Sequence, residues 1–181
     1  MVGIDETRSF KPVRIAILTV SDTRSLDDDT SGALLVDLLT QAGHQLADRA
    51  LLRDEPAEIQ ALVQRWAADP EIDAVITTSG TGLTGRDVTP EAVRPLFEKE
   101  IDGFSALMHM ISFQKVGTST VQSRSLGGVV NGTYVFCVPG SPGACRDAWD
   151  GILKLQLDAR HRPCNFVEIM PRLQEHLKPS K

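Results

Sequence analysis

The run Thr77-Thr78-Ser79-Gly80-Thr81-Gly82-Leu83-Thr84-Gly85-Arg86-Asp87-Val88-Thr89-Pro90-Glu91-Ala92 carries the densest chemistry in the chain. Glycines let a backbone come close to an anion, and successive N–H groups ahead of a helix N-terminus can hold one. Arg86-Asp87 sets a cation beside an acid between that loop and the Thr89-Pro90-Glu91 helix start, where threonine reads as N-cap and proline as first helical residue. Such a loop suits a phosphorylated substrate and a metal ion bound with it.

Gly80-x-Gly82-x-x-Gly85 also matches the literal dinucleotide fingerprint. That fingerprint needs its third glycine inside a helix and an acid at the end of the next strand. Here the helix signal starts only at Pro90, and Glu98, Glu100 and Asp102 follow a helix, so NAD binding is not favoured. No Gly-Lys-Ser/Thr occurs, which excludes a P-loop. Within the loop, Gly80 and Gly82 also fit a tight turn with no ligand, and Asp87 fits a surface pair with Arg86.

The elements that must position this loop alternate. An apolar strand spans 13–20, and a helix capped near Asp29 carries Leu34, Leu35, Leu38, Leu39 and Ala42 before Gly43 ends it. A strand at 46–52 precedes a helix capped by Asp54, with Pro56 in its first turn and Ile59, Leu62, Val63, Trp66 and Ala67 on one face. A third strand, Ala74–Thr78, leads into the glycine loop and a helix over 90–98. A helix near 104–113 is expected to turn Phe104, Leu107, Met108 and Ile111 inward. Leu126–Val130 and Thr133–Val138 flank Asn131-Gly132, a strong hairpin signal, and Ser141 caps a final helix bearing Cys145, Ala148, Trp149 and Ile152.

This order predicts an α/β fold: a three-layer, open, mostly parallel sheet with helices on both faces and one antiparallel edge hairpin. Ligands in such sheets sit beyond the carboxyl ends of the strands. Ser21-Asp22, Asp54, the 79–87 loop and Pro139-Gly140-Ser141 all fall there, so four loops converge on one mouth. The expected layout is a flexible arm at 1–12, one domain at 13–173 and a polar tail at 174–181.

With 181 residues the chain is long enough to bury about 70% of its unfolded surface as one domain. A net charge of −5 with scattered cations argues against nucleic acid or an anionic membrane as partner. No apolar run approaches a membrane span and the N-terminal residues lack a signal-peptide core. Cys137, Cys145 and Cys164 show no metal spacing, and Cys137 and Cys145 read as buried thiols, which fits a reducing cytoplasm. His161 and Cys164 lack partners for zinc, and Asp27-Asp28-Asp29 reads as a solvated, dipole-complementing run. His44, His109 and His176 carry no signal beyond surface or packing roles.

Taken in order, Ile17-Leu18-Thr19-Val20-Ser21-Asp22, Asp29-Thr30-Ser31-Gly32, Gly80-Thr81-Gly82 with Arg86-Asp87-Val88-Thr89-Pro90-Glu91-Ala92, Ser123-Arg124-Ser125 and Pro139-Gly140 resemble the MoaB/MogA family of molybdenum cofactor biosynthesis proteins. The gephyrin and Cnx1 G domains are relatives. The resemblance runs over about 13–166, and the stretch 156–166 is similar to the MoaB branch. It implies a molybdopterin adenylyltransferase: the terminal phosphate of molybdopterin attacks the α-phosphorus of ATP and pyrophosphate leaves, with Mg²⁺ held by carboxylates. On matching positions, Asp54 and Asp87 would be catalytic and metal-binding. Ser79, Gly80, Thr81, Gly82, Arg86, Ser123, Arg124, Pro139, Gly140 and Ser141 would contact substrate, and Ser21 and Asp22 the nucleotide.

The chain departs from the family twice: Ser79 stands where glycine is common, and Gly85 where proline often precedes the arginine. Some MoaB-branch members are thought to lack transfer. A molybdopterin-binding homologue without turnover, or a scaffold for other cofactor enzymes, is therefore the alternative. The resemblance also implies a homotrimer or a hexamer of two trimers. Read alone, Asp54 is first of all a helix cap, and Ser123-Arg124 are equally plain loop residues.

Overall fold

The computed structural model describes residues 2–177. In chain order its elements are β1 (Gly3–Ile4), β2 (Arg14–Val20), α1 (Thr30–Gln41), β3 (Gln45–Leu52), α2 (Pro56–Ala67), β4 (Ala74–Thr78), α3 (Thr89–Val93), β5 (Lys99–Glu100), α4 (Asp102–Val116), β6 (Leu126–Val130), β7 (Thr133–Val138), α5 (Pro142–Ala148) and β8 (His161–Arg162). A six-stranded sheet runs β3-β2-β4-β7-β6-β5, with β3, β2, β4 and β7 parallel and β6 and β5 antiparallel to their neighbours.

Alternation explains the three layers. Ile15 and Ile17 of β2, Ala74 and Ile76 of β4, and Tyr134 and Phe136 of β7 face α1, α4 and α5. Their neighbours Ala16, Leu18, Val75, Val135 and Cys137 face α2 and α3. Strands buried on both faces are largely apolar, and the buried polar positions here, Thr19, Thr77, Thr78 and Thr133, lie at the strand ends. Each fully buried side chain of this size contributes roughly 1.5–3 kcal/mol.

The expected fold class is observed, with local corrections. The hairpin β6–β7 is not the sheet's edge: Lys99 and Glu100 pair with Val129 and Gly128 and form an extra outer strand. The helix expected over 90–98 stops at Val93, where Pro95 helps tighten the chain into a 3₁₀ turn, Arg94–Leu96. Leu107, expected inward, is 45% exposed, because α4 directs Phe104 and Met108 to the core instead. The segment expected as a free arm carries β1, which pairs with β8. Residues 174–177, expected in a polar tail, lie against the hairpin through Gln174 Nε2, which donates to Asn131 Oδ1 at 2.8 Å. The rest of that tail, 178–181, lies outside the described residues. No described helix is long and apolar enough to cross a membrane.

Connections from β2 lead outward to β3, and the next strand, β4, returns on β2's other side. The crevice between the carboxyl ends of β2 and β4 is therefore the topological switch point, where such sheets bind ligands.

Candidate functional site

At that crevice β4 turns sharply. Ser79 and Gly80 both adopt left-handed conformations, with φ of 78° and 65°. Glycine does so freely, whereas serine is strained there. Ser79 is held by its amide, which donates to Val138 O at 3.1 Å, and by its carbonyl, which accepts from Thr89 Oγ1 at 3.0 Å. Thr89 is thus not the expected helix cap; its hydroxyl and amide tie the start of α3 to the turn, the amide donating to Gly80 O at 3.0 Å. A Cβ on Gly80 would sit 2.3 Å from Thr89 Oγ1 and 3.1 Å from Asp54 Oδ1, so bare backbone is needed there. Gly140 has the same need: a Cβ would meet Ser79 Oγ at 2.1 Å.

Around this turn lies a cavity of about 460 Å³ lined by Ser79, Gly80, Thr81, Gly82, Asp87, Ser123, Pro139 and Gly140, together with Arg24 and Gln122. Eight of the anticipated residues are therefore brought together. A neighbouring cavity of about 390 Å³ shares Ser123 and Pro139 and adds Ser141, Met108, Val116 and the hydroxyls of Ser112, Ser119 and Thr120. Ser141 also caps α5, its Oγ accepting from Ala144 N at 3.1 Å.

Asp54 and Asp87 occupy contrasting settings. Asp54 is not a helix cap. Glu55 holds that position without a side-chain bond, and Pro56 in the first turn removes one amide that would want a cap. Buried to 8% exposure beside Gly80, the Asp54 carboxylate receives no hydrogen bond among the described residues. Burial, then the charges of Asp22 and Asp87, push its carboxyl above the usual range, against a smaller opposing pull from Arg86. Asp87 is lowered instead. Burial works to raise it, but the Thr84 hydroxyl and amide, both donating to Oδ2, and the Gly82 amide outweigh that.

The two anticipated arginines are committed elsewhere. Arg86 forks onto both carboxylate oxygens of Asp22 at 2.8 and 2.9 Å and reaches Glu55 at 3.0 Å, so it does not pair with Asp87. The Arg86 hydrogen bonds hold Asp22 below the usual carboxylate range. Arg124 braces the loop from behind, donating to Gly82 O and Asp87 O at 2.8 Å each and pairing with Glu91. Ser21 Oγ accepts from Thr23 N and Arg24 N and shapes the turn after β2. Asp29 proves to be a buried cap instead of a solvated one: it accepts from Gly32 N and Thr19 Oγ1 and pairs with Arg49. A Cβ on Gly32 would meet Asp29 Oδ2 at 2.1 Å, which explains the Asp-x-x-Gly spacing. Arg24 and Thr89 are the site residues that sequence reasoning missed. Arg24 sits in a loop without helix or strand periodicity, and Thr89 was assigned to capping.

The family described as "Probable molybdopterin binding domain" matches residues 16–159. The chain belongs to the MoaB/MogA family of molybdenum cofactor biosynthesis proteins. It is 50% identical over 157 residues to the molybdenum cofactor biosynthesis protein B of Escherichia coli (strain K12), covering 87% of this chain and 92% of that protein. It is 40% identical over 155 residues to the protein of the same name from Bacillus subtilis (strain 168), covering 84% and 91%. A crystal structure of a molybdenum cofactor biosynthesis protein B superposes with a TM-score of 0.83 at 38% identity, covering 93% of this chain and 99% of that one. The tungsten cofactor synthesizing protein MoaB from Pyrococcus furiosus superposes at 0.69 and 31% identity, covering 79% and 91%.

Proposed function

We propose that the protein binds molybdopterin across the two adjoining cavities and transfers AMP from ATP to its terminal phosphate. A phosphate oxygen of molybdopterin forms a bond to the α-phosphorus of ATP, the α–β phosphoanhydride breaks, and pyrophosphate departs. The observation that carries this reading is the buried Asp54 carboxylate, free of donors, a few ångströms from a glycine loop that also presents Asp87.

A carboxylate without hydrogen-bond donors, crowded by two other acids, is poised for a hard cation, and Asp54 with Asp87 would hold Mg²⁺. When bound, that ion neutralises charge building on the reacting phosphates. The chain's own residues do the rest. Thr89 and Val138 fix the Ser79-Gly80 turn, Arg124 locks the loop carbonyls, and the backbone of Ser79–Gly82 presents a close surface to phosphate. Arg86 keeps Asp22 neutralised, which limits repulsion of an incoming triphosphate near Ser21-Asp22. The hydroxyl-lined neighbouring cavity, with Met108 and Val116, suits a flat polar heterocycle such as a pterin.

A second reading, binding without turnover, is favoured by one observation. Both anticipated substrate-contacting arginines are locked in internal pairs, leaving fewer cations for a triphosphate. Incubation with molybdopterin, ATP and Mg²⁺ separates the two: adenylylated product with equimolar pyrophosphate supports transfer, while molybdopterin retained without product supports binding alone. Assembly as a homotrimer or hexamer is part of the proposal. It is supported by the exposed Leu107, Met110, Phe113 and Val116 along α4 with Val121 beyond it, an apolar stretch suited to a second copy. Light scattering that finds a monomer at micromolar concentration rejects it.

A further inference from the structure

One charged group at the mouth is unaccounted for. Arg24 is the single cation among the residues lining the glycine-loop cavity. Its Nη1 is buried and has no hydrogen-bond partner. Its backbone amide is held by Ser21 Oγ at 3.2 Å, which fixes the base of the side chain. No described carboxylate pairs with its guanidinium. Asp87 lines the same cavity, but its Oδ2 is taken by Thr84. Half-buried Arg49 also has a buried nitrogen without a partner, Nε, but its Nη2 reaches the Asp29 carboxylate, and Arg24 has no such ion pair.

A guanidinium with no carboxylate partner keeps donors to offer, and an anion in the cavity that Arg24 lines can take them. The guanidinium fork matches a phosphate in two parallel hydrogen bonds. The same cavity is lined by Ser79–Gly82 and Ser123, polar groups that can complete a phosphate's remaining contacts. The cavity also sorts two kinds of phosphate. On the side of Asp87, with Asp54 against Gly80, an anion meets repulsion and needs a metal, whereas beside Arg24 a monoester's charge is partly neutralised directly.

We propose that Arg24 binds the terminal phosphate of the pterin substrate, holding the nucleophile in the glycine-loop cavity while the acids serve the metal-bound nucleotide. This assignment rests on the molybdopterin reading, and its substrate class is a phosphate monoester attached to a planar heterocycle.

The test compares molybdopterin with its dephosphorylated form, titrated into wild-type protein, Arg24→Gln and Arg24→Lys. Arg24→Gln weakens molybdopterin binding about tenfold to a hundredfold. It changes the dephosphorylated form by less than twofold, and Arg24→Lys falls between. A merely structural role would lower both ligands alike, and that result overturns the proposal, as does unchanged molybdopterin binding. The thermal midpoint of Arg24→Gln does not fall below the wild-type value, because the buried Nη1 it loses has no partner in the fold. Titration with inorganic phosphate gives an arm independent of the pterin. If wild type binds neither pterin but Arg24→Gln loses phosphate binding, Arg24 stands as the anion site and the molybdopterin reading falls. Equal phosphate binding by both forms overturns Arg24 itself.

Discussion

Two places in the molecule put a left-handed residue immediately before a left-handed glycine, and they do so for different reasons. At the hairpin, Asn131 and Gly132 have φ of 47° and 79°; at the mouth, Ser79 and Gly80 have 78° and 65°. Asparagine tolerates that region, so the hairpin turn is written in its own two residues. Serine does not, at about 1–2 kcal/mol, so the mouth turn is imposed from outside by Val138, Thr89 and the bare backbone of Gly140. Local chemistry makes a turn that only joins strands, while the surrounding fold makes the one that shapes a binding surface. Strain held at a site by over-determined surroundings is what preorganisation looks like in a backbone.

Changes to the two turns should therefore part company. Gly80→Ala is expected to have the largest effect, about 3 kcal/mol of stability, since it adds left-handed strain and a contact with Thr89 Oγ1. Chemical denaturation measures it, and ligand binding should fall with it. Asn131→Ala comes next, at about 2–3 kcal/mol, from the lost conformational preference and the bonds to Ala67 O and Gln174. Its molybdopterin affinity should stay at the wild-type value. If both variants lose affinity in proportion to stability, the two turns are not functionally distinct.

Ser79→Gly is smaller and opposite in sign. Relief of the left-handed serine, offset by glycine's greater entropy, should raise stability by about 0.5–1 kcal/mol. A decrease in thermal midpoint would mean that the serine hydroxyl contributes more than its backbone costs.

The smallest effects distinguish the two acids by pH. Asp54 is held above the usual carboxylate range by burial and then by Asp22 and Asp87, so the folded state binds its proton more tightly than the unfolded chain does. Its ionisation opposes folding once pH exceeds the ordinary value of about 3.9. Asp54→Asn should accordingly melt above wild type at neutral pH, with the gap closing below that value. For Asp87, burial is outweighed by the Thr84 and Gly82 donors and the carboxyl lies low. It stabilises the fold above about pH 3.9, and that contribution is lost as pH falls through its depressed folded value. Asp87→Asn should melt below wild type at neutral pH and converge with it in acid. Melting curves across pH 2–7 check both signs.

The parts of this fold legible in the sequence are those with long-range regularity. Apolar strands buried on both faces, the stripe on α2 and the Asn131-Gly132 turn each depend on spacing alone, and the convergence of four strand-end loops followed from them. Features set by partners distant in sequence were not legible. Lys99 and Glu100 form a strand only because Val129 and Gly128 offer an edge. Arg86 faces Asp22, 64 residues away, and not its neighbour Asp87. Arg124 turns to the loop's carbonyls instead of the cavity, and Arg24, in a turn without periodicity, takes the place inside it. Residue types at the site could be read, but which of them remain free of internal partners could not.

That freedom is what the proposed chemistry depends on, and Asp54 is where it is most exposed to test. Single-turnover formation of adenylylated molybdopterin should be followed with wild type and Asp54→Asn, at saturating molybdopterin, ATP and Mg²⁺. The account predicts product and equimolar pyrophosphate from wild type. From the variant it predicts a rate lower by about a hundredfold or more, at unchanged molybdopterin affinity. Equal rates from the two proteins, or molybdopterin bound by wild type with no pyrophosphate released, would contradict it.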